Sequence, residues 1–151
     1  MSDQEPTRLV IRPRRVRWVA GTAAVVLVTV FSVVAVLLRD TPTGVYFRTS
    51  DQVAMAGLGV LLAAGALLFT RPRVVADAEG IEVRNVLTTQ RFPWSMVQAV
   101  TFPSGASWGR LELPDDEYVA VMAIQSADGQ YAVDSLRALR RLHREVTEDP
   151  S

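Results

Sequence analysis

The polar groups that could do chemistry in this 151-residue chain are restricted in type. All sixteen basic residues are arginine and there is no cysteine, so disulfides, thiolate catalysis, cysteine-ligated metals and the lysine of a phosphate-binding loop are excluded. The one histidine, His143, falls beside Leu139 on the apolar side of a predicted helix, and no second metal ligand accompanies it. A structural role, partly buried, is therefore predicted for His143.

Two further polar runs do not match known sites. Asp115, Asp116 and Glu117 are consecutive, so they cannot easily converge on one ion, and no calcium-loop pattern surrounds them. The run Ser-Gly-Ala-Ser at 104–107 is not the Gly-x-Ser-x-Gly of a nucleophile elbow. We therefore expect no enzymatic activity, no catalytic, cofactor-binding or metal-binding residues, and no small-molecule substrate.

Arginine clusters are the clearest polar feature. One cluster precedes the first hydrophobic run, and the other lies on the polar side of the C-terminal helix. Their members are Arg14, Arg15 and Arg17 in the first cluster and Arg137, Arg140, Arg141 and Arg144 in the second. A solvated helix face accounts for the second cluster. The functional alternative is contact with anionic headgroups or with a partner.

Charge is segregated along the chain although the formal net charge is zero. Residues 1–17 hold five arginines against two carboxylates, a net charge of +3. Residues 71–151 hold nine arginines against twelve carboxylates, a net charge of −3. A mildly acidic C-terminal part gives no support to nucleic-acid binding.

Two uncharged hydrophobic runs indicate transmembrane helices. Residues 18–38 would reach about 31 Å and residues 53–70 about 27 Å, which matches a bilayer core. The first run is long for a signal peptide, and no small-residue cleavage site follows it. The glycines of the second run, Gly57, Gly59 and Gly65, favour a membrane helix over a soluble core helix.

Arginine counts predict the orientation of the two spans. Five arginines precede the first span and two closely follow the second, whereas Arg39 and Arg48 are the two in the connection 39–52. The positive-inside rule then places both termini in the cytoplasm of a multi-pass cell-membrane protein. Residues 1–17 are predicted as an Arg-rich cytoplasmic tail and the connection as extracytoplasmic.

Short alternating apolar runs separated by turns predict a β-rich domain over residues 71–146. Strands are expected at 74–76, 81–85, 89–92, 97–102, 110–113, 118–124 and 131–133. Asp128-Gly129 is typical of a tight hairpin turn before the last of them. A helix over 135–146 follows, with Leu136 and Leu139 facing a core that Trp94 helps to fill. Residues 147–151 are predicted as a disordered tail. The fold class is α+β: a two-helix transmembrane hairpin, then about seven antiparallel strands and a C-terminal helix.

The chain resembles the actinobacterial two-span membrane proteins with a bacterial pleckstrin-homology-like domain, the low-molecular-weight protein antigen six family. After the two hydrophobic runs, the features that carry the resemblance are Arg71-Pro72-Arg73-Val74, Asp77-Ala78-Glu79-Gly80-Ile81, Arg91-Phe92-Pro93-Trp94-Ser95 and Tyr131-Ala132-Val133 before Leu136. The resemblance covers roughly residues 15–146. It implies a pleckstrin-homology-like fold and no enzyme activity.

Eukaryotic pleckstrin-homology domains resemble one another in a basic cluster at the first hairpin loop, which binds phosphoinositides. Here that loop holds Asp77 and Glu79, with Arg73 and Arg84 flanking it, so phosphoinositide binding is disfavoured. The expected function is therefore a protein-interaction module that self-associates or docks onto another membrane protein. The alternative is a sensor of anionic lipid or envelope-precursor headgroups.

Overall fold

The computed structural model describes residues 7–40, 44 and 46–148. It contains two compact units: residues 16–70 form a helical unit, and the segments before and after them form an α+β unit. Helix α1 covers Arg15–Asp40, and helix α2 covers Thr49–Leu67 and ends in the 3-10 turn Leu68–Thr70. Of the predicted connection 39–52, residues 41–43 and 45 lie outside the described residues, and both ends of it belong to the helices.

The helical unit buries small residues and exposes large apolar ones. The buried positions are Ala20, Ala24 and Ala35 of α1 and Gly59 and Ala63 of α2. A Cβ atom on Gly59 would lie 2.6 Å from the Cβ of Phe31, so only glycine permits this approach of the two helices. Both helices are long and apolar enough to cross a membrane.

Residues 7–15 are part of the α+β unit, which corrects the prediction of a tail there; residues 1–6 of the predicted tail lie outside the described residues. Strand β1, Leu9–Ile11, pairs antiparallel with β2, Arg73–Ala76, so that Ile11 lies opposite Val74. Ile11 is 2% exposed and belongs to the hydrophobic core. The helical unit is therefore inserted between two neighbouring strands of one sheet.

The seven strands of the unit form two antiparallel sheets. The first has the order β1-β2-β3-β4, with β3 at Gly80–Arg84 and β4 at Thr89–Pro93. The second has the order β5-β6-β7, at Ala99–Thr101, Trp108–Glu112 and Tyr118–Gln125. Asn85 joins the sheets, because its side chain donates to the carbonyl of Ala120 (2.7 Å) and accepts from the N–H of Met122 (3.1 Å). The predicted fold class, α+β with seven antiparallel strands and a C-terminal helix, is confirmed.

The predicted seventh strand at 131–133 is wrong. Asp128 and Gly129 do not form a hairpin turn; a 3-10 turn over Ser126–Asp128 leads through Gly129, at φ +56°, into helix α3, Gln130–Glu148. Ala132, Leu136 and Leu139 are all buried. Because Ala132 lies four positions before Leu136, it continues the buried side of the helix by one turn toward the N-terminus, into the segment that was predicted as a strand. Thr147 and Glu148 of the predicted disordered tail are helical, and residues 149–151 lie outside the described residues.

One core lies between the two sheets and α3. Leu139, Ile81, Leu111 and Val121 are fully buried, Trp94 is nearly so, and Phe92 and Phe102 pack at its margin. The indole N–H of Trp94 donates to the carbonyl of Asp77 at 2.7 Å, which satisfies the one polar group that this side chain brings into the core.

The position of Ile11 makes a prediction about stability. Ile11→Ala should destabilise the α+β unit by about 2–5 kcal/mol, because it removes a buried side chain from a packed core. Val10→Ala, on the same strand but with 45% of the residue exposed, should cost about 1 kcal/mol or less. Thermal unfolding of the full-length protein in detergent, followed by tryptophan fluorescence, measures both. Equal melting of the two variants would show that β1 does not complete the core.

Candidate functional site

Helix α3 and the neighbouring edge of β5 form an arginine-lined groove. The helical period places Arg137, Arg140, Arg141 and Arg144 on one side of α3, opposite the buried leucines. A cavity of about 580 Å³ lies between these side chains and β5. Its lining, called the arginine groove below, consists of Gln98, Ala99, Val100, Arg137, Arg140, Arg141, His143 and Arg144. The sequence therefore predicted the four arginines of the groove, and the structure brings them together.

Two side chains of the groove are held by the edge of the sheet. Arg140 donates its Nε–H to the carbonyl of Val100 at 2.7 Å, and Nε2 of His143 lies 3.0 Å from the carbonyl of Val97. The His143 ring also packs beside Trp94, with ring centroids 5.3 Å apart. These contacts support the structural role predicted for His143, and they fix α3 against β5. They also occupy the carbonyl group of Val100 on β5 and that of Val97, two residues before β5.

Positive charge in the groove is largely uncompensated. Among the described residues, Arg137 makes the one ion pair of the four arginines, 4.0 Å from the exposed carboxylate of Asp134. Arg141 and Arg144 have no carboxylate partner in the part of the chain that the structure describes. Arginines three or four positions apart on a helix repel one another by a few tenths of a kcal/mol per pair. A bound anion would relieve this repulsion.

The N-terminal arginines lie elsewhere. The carboxylate of Asp128 accepts the backbone N–H groups of Arg14 (3.1 Å) and Arg15 (2.8 Å), and the Arg14 guanidinium stacks 4.0 Å above the Tyr131 ring. Arg15 is the first residue of α1, where N–H groups have no partner within the helix, so Asp128 acts as a cap supplied from another part of the chain. Arg17 is exposed. The groove lining includes none of these three arginines.

An acidic turn lies next to the arginine groove. Asp115 and Asp116, at φ +61° and +59°, form the tight turn between β6 and β7, and Glu117 follows them. All three residues are exposed. A smaller cavity of about 270 Å³ includes Asp116 and Glu117 and shares Gln98 with the arginine groove. Within the described residues no three carboxylates or histidines are placed to hold a metal ion.

The charged residues around the first hairpin loop, 77–79, are paired differently from what the sequence suggested. Arg91 on β4 pairs with both loop carboxylates, Asp77 at 3.3 Å and Glu79 at 3.5 Å. Arg73 and Arg84 do not flank that loop, because they pair across the opposite end of the β2–β3 hairpin. Closeness along the sequence wrongly assigned Arg73 and Arg84 to this loop. The strand register instead shows which charged residues lie opposite each other.

Comparison with known proteins identifies the α+β unit. The family model described as Bacterial PH domain matches residues 71–142. Uncharacterized proteins of Mycobacterium tuberculosis and of Mycobacterium bovis are each 42% identical to the chain over 134 residues, covering 89% of this chain and 87% of theirs. The chain belongs to the family of these mycobacterial proteins, and it carries a bacterial PH domain. No solved structure matches it significantly. Strand β1 lies outside the matched range of the bacterial PH domain, and so do the last six described residues of α3.

Proposed function

We propose that this protein is a non-enzymatic, two-span membrane protein whose bacterial PH domain self-associates by placing the acidic turn of one copy in the arginine groove of another. The observation that carries the proposal is the arginine groove, with its largely uncompensated charge, beside an exposed acidic turn of the same chain.

The pairing of β1 with β2 supports two membrane crossings. These strands flank the helical unit, and an antiparallel pair can form only if both lie on the same side of the membrane. An even number of crossings satisfies that condition, and a single crossing does not. Cleavage of the first helix as a signal peptide would remove Ile11 from the core, which argues against that alternative. The arginine excess near the sheet supports a cytoplasmic location for this side.

The length of the arginine groove favours a protein segment as its ligand. From Arg137 to Arg144 the helix rises about 10 Å. A single phosphate group could contact only part of such a row, whereas three consecutive carboxylates could neutralise most of it. Asp115, Asp116 and Glu117 are such a run, and they are held in a defined turn.

A symmetric pair of copies suits this arrangement. In a two-fold dimer the same patch meets itself, so a basic groove and an acidic turn that lie side by side can each contact the other's counterpart. Gln98, which lines both cavities, marks that adjacency. Two membrane spans would confine the copies to a plane and raise their effective concentration, so weak charge contacts would suffice. Docking onto another membrane protein with an acidic segment is the variant of this function that the same groove allows.

The alternative function is recognition of anionic lipid or envelope-precursor headgroups by the arginine groove. The observation in its favour is that Arg141 and Arg144 lack carboxylate partners in the described part of the chain, in a domain that would be tethered close to a bilayer.

Reporter fusions test the proposed topology. A reporter that is active only outside the cytoplasm should give activity when inserted at Gly44 and none when fused to Ser151, because the arginine-rich segments stay in the cytoplasm. Activity at Ser151 without activity at Gly44 would reverse the orientation, and activity at neither position would contradict membrane crossing.

Charge exchange tests the proposed self-association. The groove variant Arg141→Glu with Arg144→Glu, and the turn variant Asp115→Asn, Asp116→Asn and Glu117→Arg, should each lose pairing with an identical copy about tenfold or more, because like charges would meet at the interface. Asparagine is chosen because it tolerates positive φ. Co-expression of the groove variant with the turn variant should restore pairing, since opposite charges then meet at both contacts. Co-purification of two differently tagged full-length copies measures this.

A matched control removes two arginines elsewhere. Arg8→Gln with Arg17→Gln deletes two exposed guanidinium groups outside the groove and should leave self-association unchanged. Failure of the two charge variants to restore pairing with each other would contradict the dimer. If, in addition, the wild-type protein is monomeric and its groove arginines are required for salt-sensitive binding to anionic vesicles, the headgroup function replaces the proposed one.

A further inference from the structure

The first sheet carries a second cluster of arginines, on residues that lie within a few positions of both helices along the chain. Arg73 on β2 lies directly opposite Arg84 on β3. The register of β1 with β2 pairs Ile11 with Val74, so Arg12, the next residue after β1, comes to lie beside Arg73. Arg12, Arg73 and Arg84, called the arginine row below, therefore follow one another across three strands.

Like charges directly opposite each other on neighbouring strands are destabilising unless something neutralises them. Here the compensation is small. Within the described residues, Glu82 is the one carboxylate that pairs with the row, 3.5 Å from Arg73, and Arg84 has no ion pair. The Nε atoms of Arg73 and Arg84 are shielded from solvent and have no hydrogen-bond partner among the described residues. Buried unpaired donors of this kind are rare in folded proteins.

We propose that the arginine row binds the phosphodiester group of an anionic phospholipid. A phosphate that accepts hydrogen bonds from the solvent-accessible side of both guanidinium groups would neutralise the opposed charges. This proposal rests on the two membrane crossings proposed above, but it does not depend on self-association, which uses other residues.

Chain connectivity favours a membrane lipid over free phosphate. Arg73 is three residues after Thr70, the last residue of the second helical segment, and Arg12 is three residues before Arg15, the first residue of α1. Three extended residues reach at most about 10 Å, and the headgroup layer is about 5–8 Å thick on each side. An arginine side chain is long enough to reach back into that layer. The row would thus lie where lipid phosphates are concentrated, and acyl chains would add apolar contacts that inorganic phosphate lacks.

The test uses the full-length protein in a neutral detergent, with phosphatidylglycerol as the probe and phosphatidylcholine for comparison. Native mass spectrometry measures lipid binding, and thermal unfolding measures stability with and without lipid. Arg84→Met should weaken phosphatidylglycerol binding by about tenfold or more through loss of a charged hydrogen bond. Without lipid the same variant should melt at or above the wild-type temperature, because one of two opposed charges is gone.

Arg91→Met is the matched control, since it removes an arginine from the same sheet whose charge already meets Asp77 and Glu79. It should bind phosphatidylglycerol like the wild type. If Arg84→Met does not fold, Arg12→Met, which changes an exposed side chain, carries the same expectation for binding. Unchanged phosphatidylglycerol binding in the row variants, equal binding of phosphatidylcholine, or complete displacement by inorganic phosphate would each overturn the assignment. A purely structural row would instead show Arg84→Met melting lower without lipid while binding phosphatidylglycerol normally.

Discussion

The pairing of β1 with β2 is the constraint on which the rest of the structure depends. It joins residues more than sixty positions apart, on either side of the helical unit, and it brings Ile11 into the core. The sequence on the two sides is nearly a mirror image. Val-Ile-Arg-Pro-Arg at 10–14, read backwards, matches Arg-Pro-Arg-Val-Val at 71–75 in four of five positions. Both prolines, Pro13 and Pro72, are fully buried. One pairing thus completes the first sheet, requires both ends of the helical unit to lie together, and aligns the arginine row.

Much of this fold could be predicted from the pattern of residues, because most of its elements are local. The two helices are long uncharged runs, and six of the seven strands alternate or are bounded by turns. Strand β1 was missed because three apolar residues show no period, and its partner lies across the helical unit. The segment 131–133 was misassigned because its residues favour strands locally, whereas the core contacts of Ala132 and Leu136 continue a helical period.

The candidate sites show the same division. The four arginines of the groove follow from the helical period alone, so they were predicted as a cluster. The carbonyl contacts of Arg140 and His143, and the adjacency of the acidic turn, depend on how α3 lies against β5, which no local pattern encodes. The arginine row depends on strand register, and reading Arg73 and Arg84 by their distance along the chain assigned them to the wrong end of a hairpin. The mirrored Arg-Pro-Arg segments at 12–14 and 71–73 were the one sequence signal that indicated this pairing.

A disulfide between β1 and β2 tests most directly whether these two strands pair. The chain has no cysteine of its own, so every disulfide that forms comes from the introduced residues. Val10→Cys with Val75→Cys places two thiols on directly paired residues, whose Cα atoms lie about 4.5–5.5 Å apart in an antiparallel ladder. Val10→Cys with Glu82→Cys is the control, one strand further away and about 10 Å apart. Mild oxidation of native membranes should close an intramolecular disulfide in the first variant and not in the second. A folded Val10→Cys, Val75→Cys protein that keeps both thiols free, or that crosslinks only between molecules, would contradict the account.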